Sequence, residues 1–143
     1  PKPSQLQREL EQGKNPLIVR NEDDYRAMLA FTMSEPPYIP AAMIAVLTRE
    51  AVEREAIATR IFGQLDPSLS PPAPEVLGRI RVPTWVLWGD EDKVLEVSST
   101  EVFKKWLPRS EVLVFKGVGH APLMERPKEM ATAYRSFLSR TQY

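Results

Sequence analysis

The chain has 143 residues, enough for one domain with a core of its own, and its hydrophobic (43%) and charged (27%) fractions are those of a globular protein. Nineteen basic and nineteen acidic residues cancel, which argues against binding nucleic acid through a strongly basic surface. With no cysteine and a single histidine, disulfides, thiolate chemistry and Cys- or His-rich metal sites are excluded.

In chain order, the first half is helical. Ser4 followed three residues later by Gln7 is a capping box, with Leu6 and Leu10 at i, i+4 spacing and Gly13 as the stop. Asn21 ahead of Glu22, Asp23 and Asp24 is an N-cap with acids at the positive end of a helix. Tyr25, Met28, Leu29 and Thr32 form one stripe of that helix, which ends before Glu35-Pro36-Pro37. A third helical stretch runs from about Pro40 to Leu65, with Met43, Val46, Leu47, Ile57, Ile61 and Phe62 in helical period. Between Asp66 and Pro74 four prolines fall within nine residues, a linker. The boundary is set there, giving segments 1–73 and 74–143.

The second half changes period. Thr84–Trp88 and Glu111–Phe115 are short apolar runs closed by Gly89 and Gly117, the pattern of strands buried on both faces. Ser98–Leu107 reads as a helix with Val102, Phe103 and Trp106 on one face. Pro127–Leu138 reads as a closing helix bearing Met130, Tyr134, Phe137 and Leu138. The class is α/β: a parallel βαβα unit preceded by helices. Two buried-type strands need neighbours, so a larger sheet is expected. No apolar run reaches the length of a membrane helix, and no transmembrane segment is expected.

Ligands of open parallel sheets bind beyond the carboxyl ends of the strands. There, one loop carries Asp90, Glu91 and Asp92, and the next carries His120, the sole histidine. Alone, the His is more often a structural or solvated residue, and the acids a solvated turn or weak cation site. Together, one βαβ step apart, they are an acid and an imidazole at the same sheet edge, the supporting pair of a nucleophile–His–acid triad.

Val82–Val94 resembles the acid strand of the α/β-hydrolase family, a Pro-led strand followed by Gly-x-x-Asp-x-Val, whose Asp falls on Asp92 rather than Asp90. Gly117-Val118-Gly119-His120 with Glu125-Arg126-Pro127 resembles the family's histidine loop, Gly-His and then a Glu-x-Pro helix start. Lys14–Val19 and Asp23-Asp24-Tyr25 resemble the cap of bacterial lipases and monoacylglycerol-lipase-like serine hydrolases. The resemblance implies the C-terminal part of an α/β-hydrolase sheet preceded by a helical cap, with Asp92 and His120 catalytic. It further implies a substrate-binding set of Met28, Phe31, Met33, Tyr38 and Val94 for an apolar acyl ester. For the cap residues the alternative is simple packing on the core. No metal and no organic cofactor is implied.

The family's Gly-x-Ser-x-Gly elbow is absent: none of the nine serines is flanked by glycines at that spacing. The expectation is therefore a C-terminal fragment of a lipase- or carboxylesterase-type hydrolase. Its nucleophile would lie outside the chain, and the fragment alone would be inactive. The partner would be the missing N-terminal half or a second copy of the chain. A haloalkane dehalogenase or epoxide hydrolase of the same fold, and a non-catalytic binding protein using half of the fold, are the alternatives. Upstream coding sequence would separate them. The chain is read as soluble, with cytoplasm and periplasm both open and cytoplasm preferred.

Overall fold

A computed structural model describes residues 1–64 and 74–141. The proline-rich linker and the proposed boundary at 73/74 lie outside the described residues. Helix α1 spans Gln5–Glu11 and is capped by Ser4 Oγ, which accepts from the Gln7 amide at 3.1 Å. Helix α2 spans Glu22–Thr32, with Asn21 Oδ1 accepting from the Asp24 amide at 2.8 Å. Both caps are those expected from the sequence.

The third helical stretch is not continuous. It divides at Arg54 into α3 (Ala41–Glu53) and α4 (Glu55–Gln64). Arg54 leaves helical geometry with φ −97° and ψ 2°, and Glu55 opens α4 paired to Arg20 at 3.1 Å. Neither Pro nor Gly marks the break, so no local signal announces it.

The one-turn helix α5 (Pro74–Leu77) leads into β1 (Thr84–Gly89), α6 (Ser99–Trp106), β2 (Ser110–Phe115), the one-turn α7 (Pro122–Glu125) and α8 (Pro127–Arg140). Among the described residues the sheet has two strands, parallel and in register from Thr84↔Ser110 to Gly89↔Phe115. On one face Val86 packs with Leu77 and Leu107, joined by Trp88, Val102, Phe103 and Val112. On the other face Trp85 stacks on Tyr134 and Phe137 of α8, with ring centroids 5.7 and 5.9 Å apart. Helices thus cover both faces of β1, as a continuous apolar run demands. The expectation of full burial fails for both strands: in β1 only Val86 and Gly89 are buried, and in β2 Glu111 and Val114 are exposed. β2 pairs with β1 along one edge, and Glu111 faces water to pair with Arg140 of α8. No helix among the described residues is long and apolar enough to cross a membrane.

Candidate active site

The two loops after the strands meet. Gly89 ends β1 so close to the backbone of Val118 and Gly119 that a Cβ there would collide with both carbonyl oxygens. Only glycine allows this approach. The loops are then laced together: the Asp90 amide donates to the Phe115 carbonyl at 3.0 Å, and the Glu91 amide to the Val118 carbonyl at 3.0 Å. The Gly117 amide donates to Asp90 Oδ1 at 2.6 Å. Val118, with 0% of its surface exposed, anchors the second loop.

Within this lacing, Asp92 turns inward. Its Oδ1 accepts from the amides of Val94 at 2.8 Å and Leu95 at 2.9 Å, and its side chain is 5% exposed. Its Oδ2 lies 2.9 Å from Nδ1 of His120, whose side chain is 38% exposed. One carboxylate oxygen is thus fixed by the backbone and the other by the ring. The hydrogen bond to Asp92, aided by its charge and opposed by burial, raises the His120 pKa above the ordinary histidine value. Such a bond sets Nδ1 as the donor and leaves Nε2 as the nitrogen that can take up a proton. Asp90, the other aspartate of the loop, is engaged with the backbone instead.

The helical half reaches the same place. The His120 amide donates to the Thr32 carbonyl at the end of α2, at 2.7 Å. Lys93 is held from two sides: its carbonyl accepts from the Leu6 amide at 2.8 Å, and its Nζ donates to the Ala30 carbonyl at 3.3 Å. Of the five expected substrate-binding residues, Met33 and Val94 are buried and flank this junction in the chain, next to Thr32 and Lys93. Met28 and Phe31 are half-buried on α2. Tyr38 stands apart. It is 90% exposed and lines an open groove of about 320 Å³ with Leu29, Pro36, Pro37, Ile39 and Ile44. The structure therefore does not gather the five into one pocket.

The sequence reading assigned no role to Glu125. This buried carboxylate accepts from three backbone amides, Gly119 at 2.9 Å, Ser34 at 2.8 Å and Glu35 at 3.0 Å. Beside it, Arg126 binds Glu35 at 2.7 Å, and that hydrogen bond and charge hold the Glu35 carboxyl below its ordinary value. The one available signal for Glu125 was its place in the Glu-x-Pro stretch after His120.

The sequence model of the alpha/beta hydrolase family matches residues 4–133. Lipase 3 of Moraxella sp. (strain TA144) is 33% identical over 86% of this chain and 39% of its own length. A monoacylglycerol lipase of Rattus norvegicus is 28% identical over 88% of this chain and 38% of its own length. The crystal structure of a membrane phospholipase A, described as a bacterial virulence factor, superposes with a TM-score of 0.90 at 39% identity. That superposition covers 98% of this chain and 45% of the phospholipase chain. The chain thus spans less than half the length of these relatives.

Proposed function

The chain belongs to the alpha/beta hydrolase family, and from that premise we propose that it carries the acid and the base of a lipase- or carboxylesterase-type serine hydrolase. The nucleophilic serine then lies outside these 143 residues. The observation that carries this reading is the 2.9 Å contact between His120 Nδ1 and Asp92 Oδ2, with the other Asp92 oxygen held by two backbone amides.

In the proposed reaction the serine hydroxyl adds to the ester carbonyl while its proton passes to His120 Nε2. Asp92 keeps the ring in the tautomer with Nδ1 protonated and stabilises the imidazolium that forms. The imidazolium returns the proton to the departing alcohol oxygen, leaving an acyl-enzyme. Water, deprotonated by the same nitrogen, then releases the carboxylic acid and restores the serine. Acid and base are thus on this chain, and the nucleophile and oxyanion donors are on another segment.

The substrate is proposed as an ester with an apolar acyl chain, of the acyl-glyceride kind. The relatives are named as lipases, a monoacylglycerol lipase and a phospholipase A. Buried Met33 and Val94 beside the His–Asp pair offer a deformable apolar wall, with Met28 and Phe31 of α2 extending it. Tyr38, in the separate outer groove, is left out of this wall.

The test is p-nitrophenyl ester hydrolysis together with labelling by a fluorophosphonate probe. The full-length protein is expected to turn over ester and to lose that turnover in His120→Ala. The 143 residues alone are expected to do neither. Hydrolysis by the isolated segment that depends on His120, or labelling of one of its own serines, would overturn the assignment.

A further inference from the structure

We propose that Glu125 is a positioning residue for His120, a carboxylate clasp that ties the histidine loop to the end of the helical half. The inference rests on the reading of His120 as the base.

Its geometry is unusual for a buried acid. Among the described residues no cationic nitrogen lies within 4 Å of the Glu125 carboxylate, which acts on Arg126 only through its charge; its oxygens are satisfied by backbone. Oε1 takes the Gly119 amide, and Oε2 takes the amides of Ser34 and Glu35, roughly ninety positions away in the chain. A buried carboxylate is tolerated only when hydrogen bonds replace its water, and these three do so. The neighbouring Arg126 spends its guanidinium on Glu35 and, at 3.8 Å, on Glu129. On the far side, Glu91 accepts from Ser34 Oγ at 2.8 Å.

The one-turn helix α7 makes this possible, because it swings the side chain at position 125 back onto the residue preceding His120. The backbone of the base is then gripped at two consecutive amides. Gly119 donates to Glu125, and His120 donates to the Thr32 carbonyl. Both grips lead to residues 32–35. The ring itself is held by Asp92 from the loop after β1. Releasing the Glu125 grip frees the main chain from which the ring is aimed.

A filler of the same shape would not serve. Glutamine offers one acceptor oxygen and an NH2 group. Whichever way it turns, its NH2 confronts either Gly119 or the Ser34–Glu35 pair, donor against donor. Aspartate keeps both acceptors but is one methylene short of spanning the two segments.

The test uses the full-length protein and reads both steady-state kinetics and the imidazole resonance that vanishes in His120→Ala. Glu125→Gln is expected to lower kcat roughly ten- to a hundredfold with KM unchanged, and to move the imidazole titration down toward that of an ordinary histidine. Glu125→Asp is expected to fall between Gln and wild type in both readouts. In the unsubstituted protein, the amides of Gly119, Ser34 and Glu35 are expected to be protected together from hydrogen exchange. A folded Gln variant with wild-type kcat and titration would overturn the proposal, and so would a kcat loss with the titration unmoved. If Glu125→Gln does not fold, the Asp variant and the exchange data decide by the same criteria, and rapid exchange of those amides counts against the clasp. Full activity in His120→Ala would refute the base assignment, while the titrations would still judge the clasp.

Discussion

Gly119 lies against the end of α2 so closely that a Cβ on it would stand 2.7 Å from the carbonyl oxygen of Thr32. That oxygen is the acceptor for the His120 amide. The missing side chain and the hydrogen bond are two aspects of one contact.

Gly119→Ala is therefore expected to push the histidine loop away from α2, since backbone atoms cannot yield as a flexible side chain would. Overpacking of this kind costs about 1–3 kcal/mol, readable as a lower urea midpoint with an unchanged slope. Hydrolytic activity should fall with it. A midpoint equal to wild type would show that the loop relaxes freely.

The two aspartates of the first loop make a sharper comparison. Asp92→Asn is expected to lower turnover by something on the order of 10⁴, because an amide oxygen and nitrogen no longer enforce one imidazole tautomer. Asp90→Asn should leave turnover near wild type, because its remaining carbonyl oxygen can still accept from the Gly117 amide. Measuring kcat for the pair checks the assignment, and a reversed order would transfer the role to Asp90.

The raised pKa of His120 has consequences of defined sign. Activity needs the neutral ring, so the acid limb of kcat/KM should be centred above the ordinary value of about 6.5. Stability runs the other way. The imidazolium–Asp92 pair stabilises the fold fully below the unfolded value of about 6.5, and that contribution is lost as pH rises through the raised folded value. Asp92→Asn should bring the limb down and flatten the stability change, followed by urea midpoints across the same pH range.

The face of the sheet opposite the core cluster depends on one aromatic stack. Trp85→Ala removes the ring on which Tyr134 and Phe137 lie. A loss of about 3 kcal/mol is expected, the lower end for deleting a large aromatic, because Trp85 is only half-buried. Equilibrium unfolding followed by far-UV circular dichroism measures it.

What was legible in the sequence was local in origin. Ser4 and Asn21 cap their helices through amides three residues away. The two apolar runs closed by glycine are strands, and their parallel pairing follows from the helix between them. Asp92 and His120 were placed at one sheet edge by that topology, and the ring and carboxylate meet there. What was not legible depends on contacts between distant segments. The division of α3 from α4 goes with the Arg20–Glu55 pair rather than with a breaker residue. Glu125 finds its partners at residues 34 and 35, and no periodicity encodes that meeting. Tyr38 was grouped with Met33 and Val94 through the family resemblance, yet its side chain lies in water while theirs are buried.

The bond from the His120 amide to the Thr32 carbonyl also sets where this protein can be recombined. In a chimera, helices α3 and α4 can be exchanged for those of another relative, provided the splice falls after Glu35. Residues 32–35 must travel with the strands, because they form part of the mount for the imidazole. A graft that takes α2 from a donor must end its last turn where Thr32 does, because a carbonyl displaced from that place leaves the His120 amide without its acceptor.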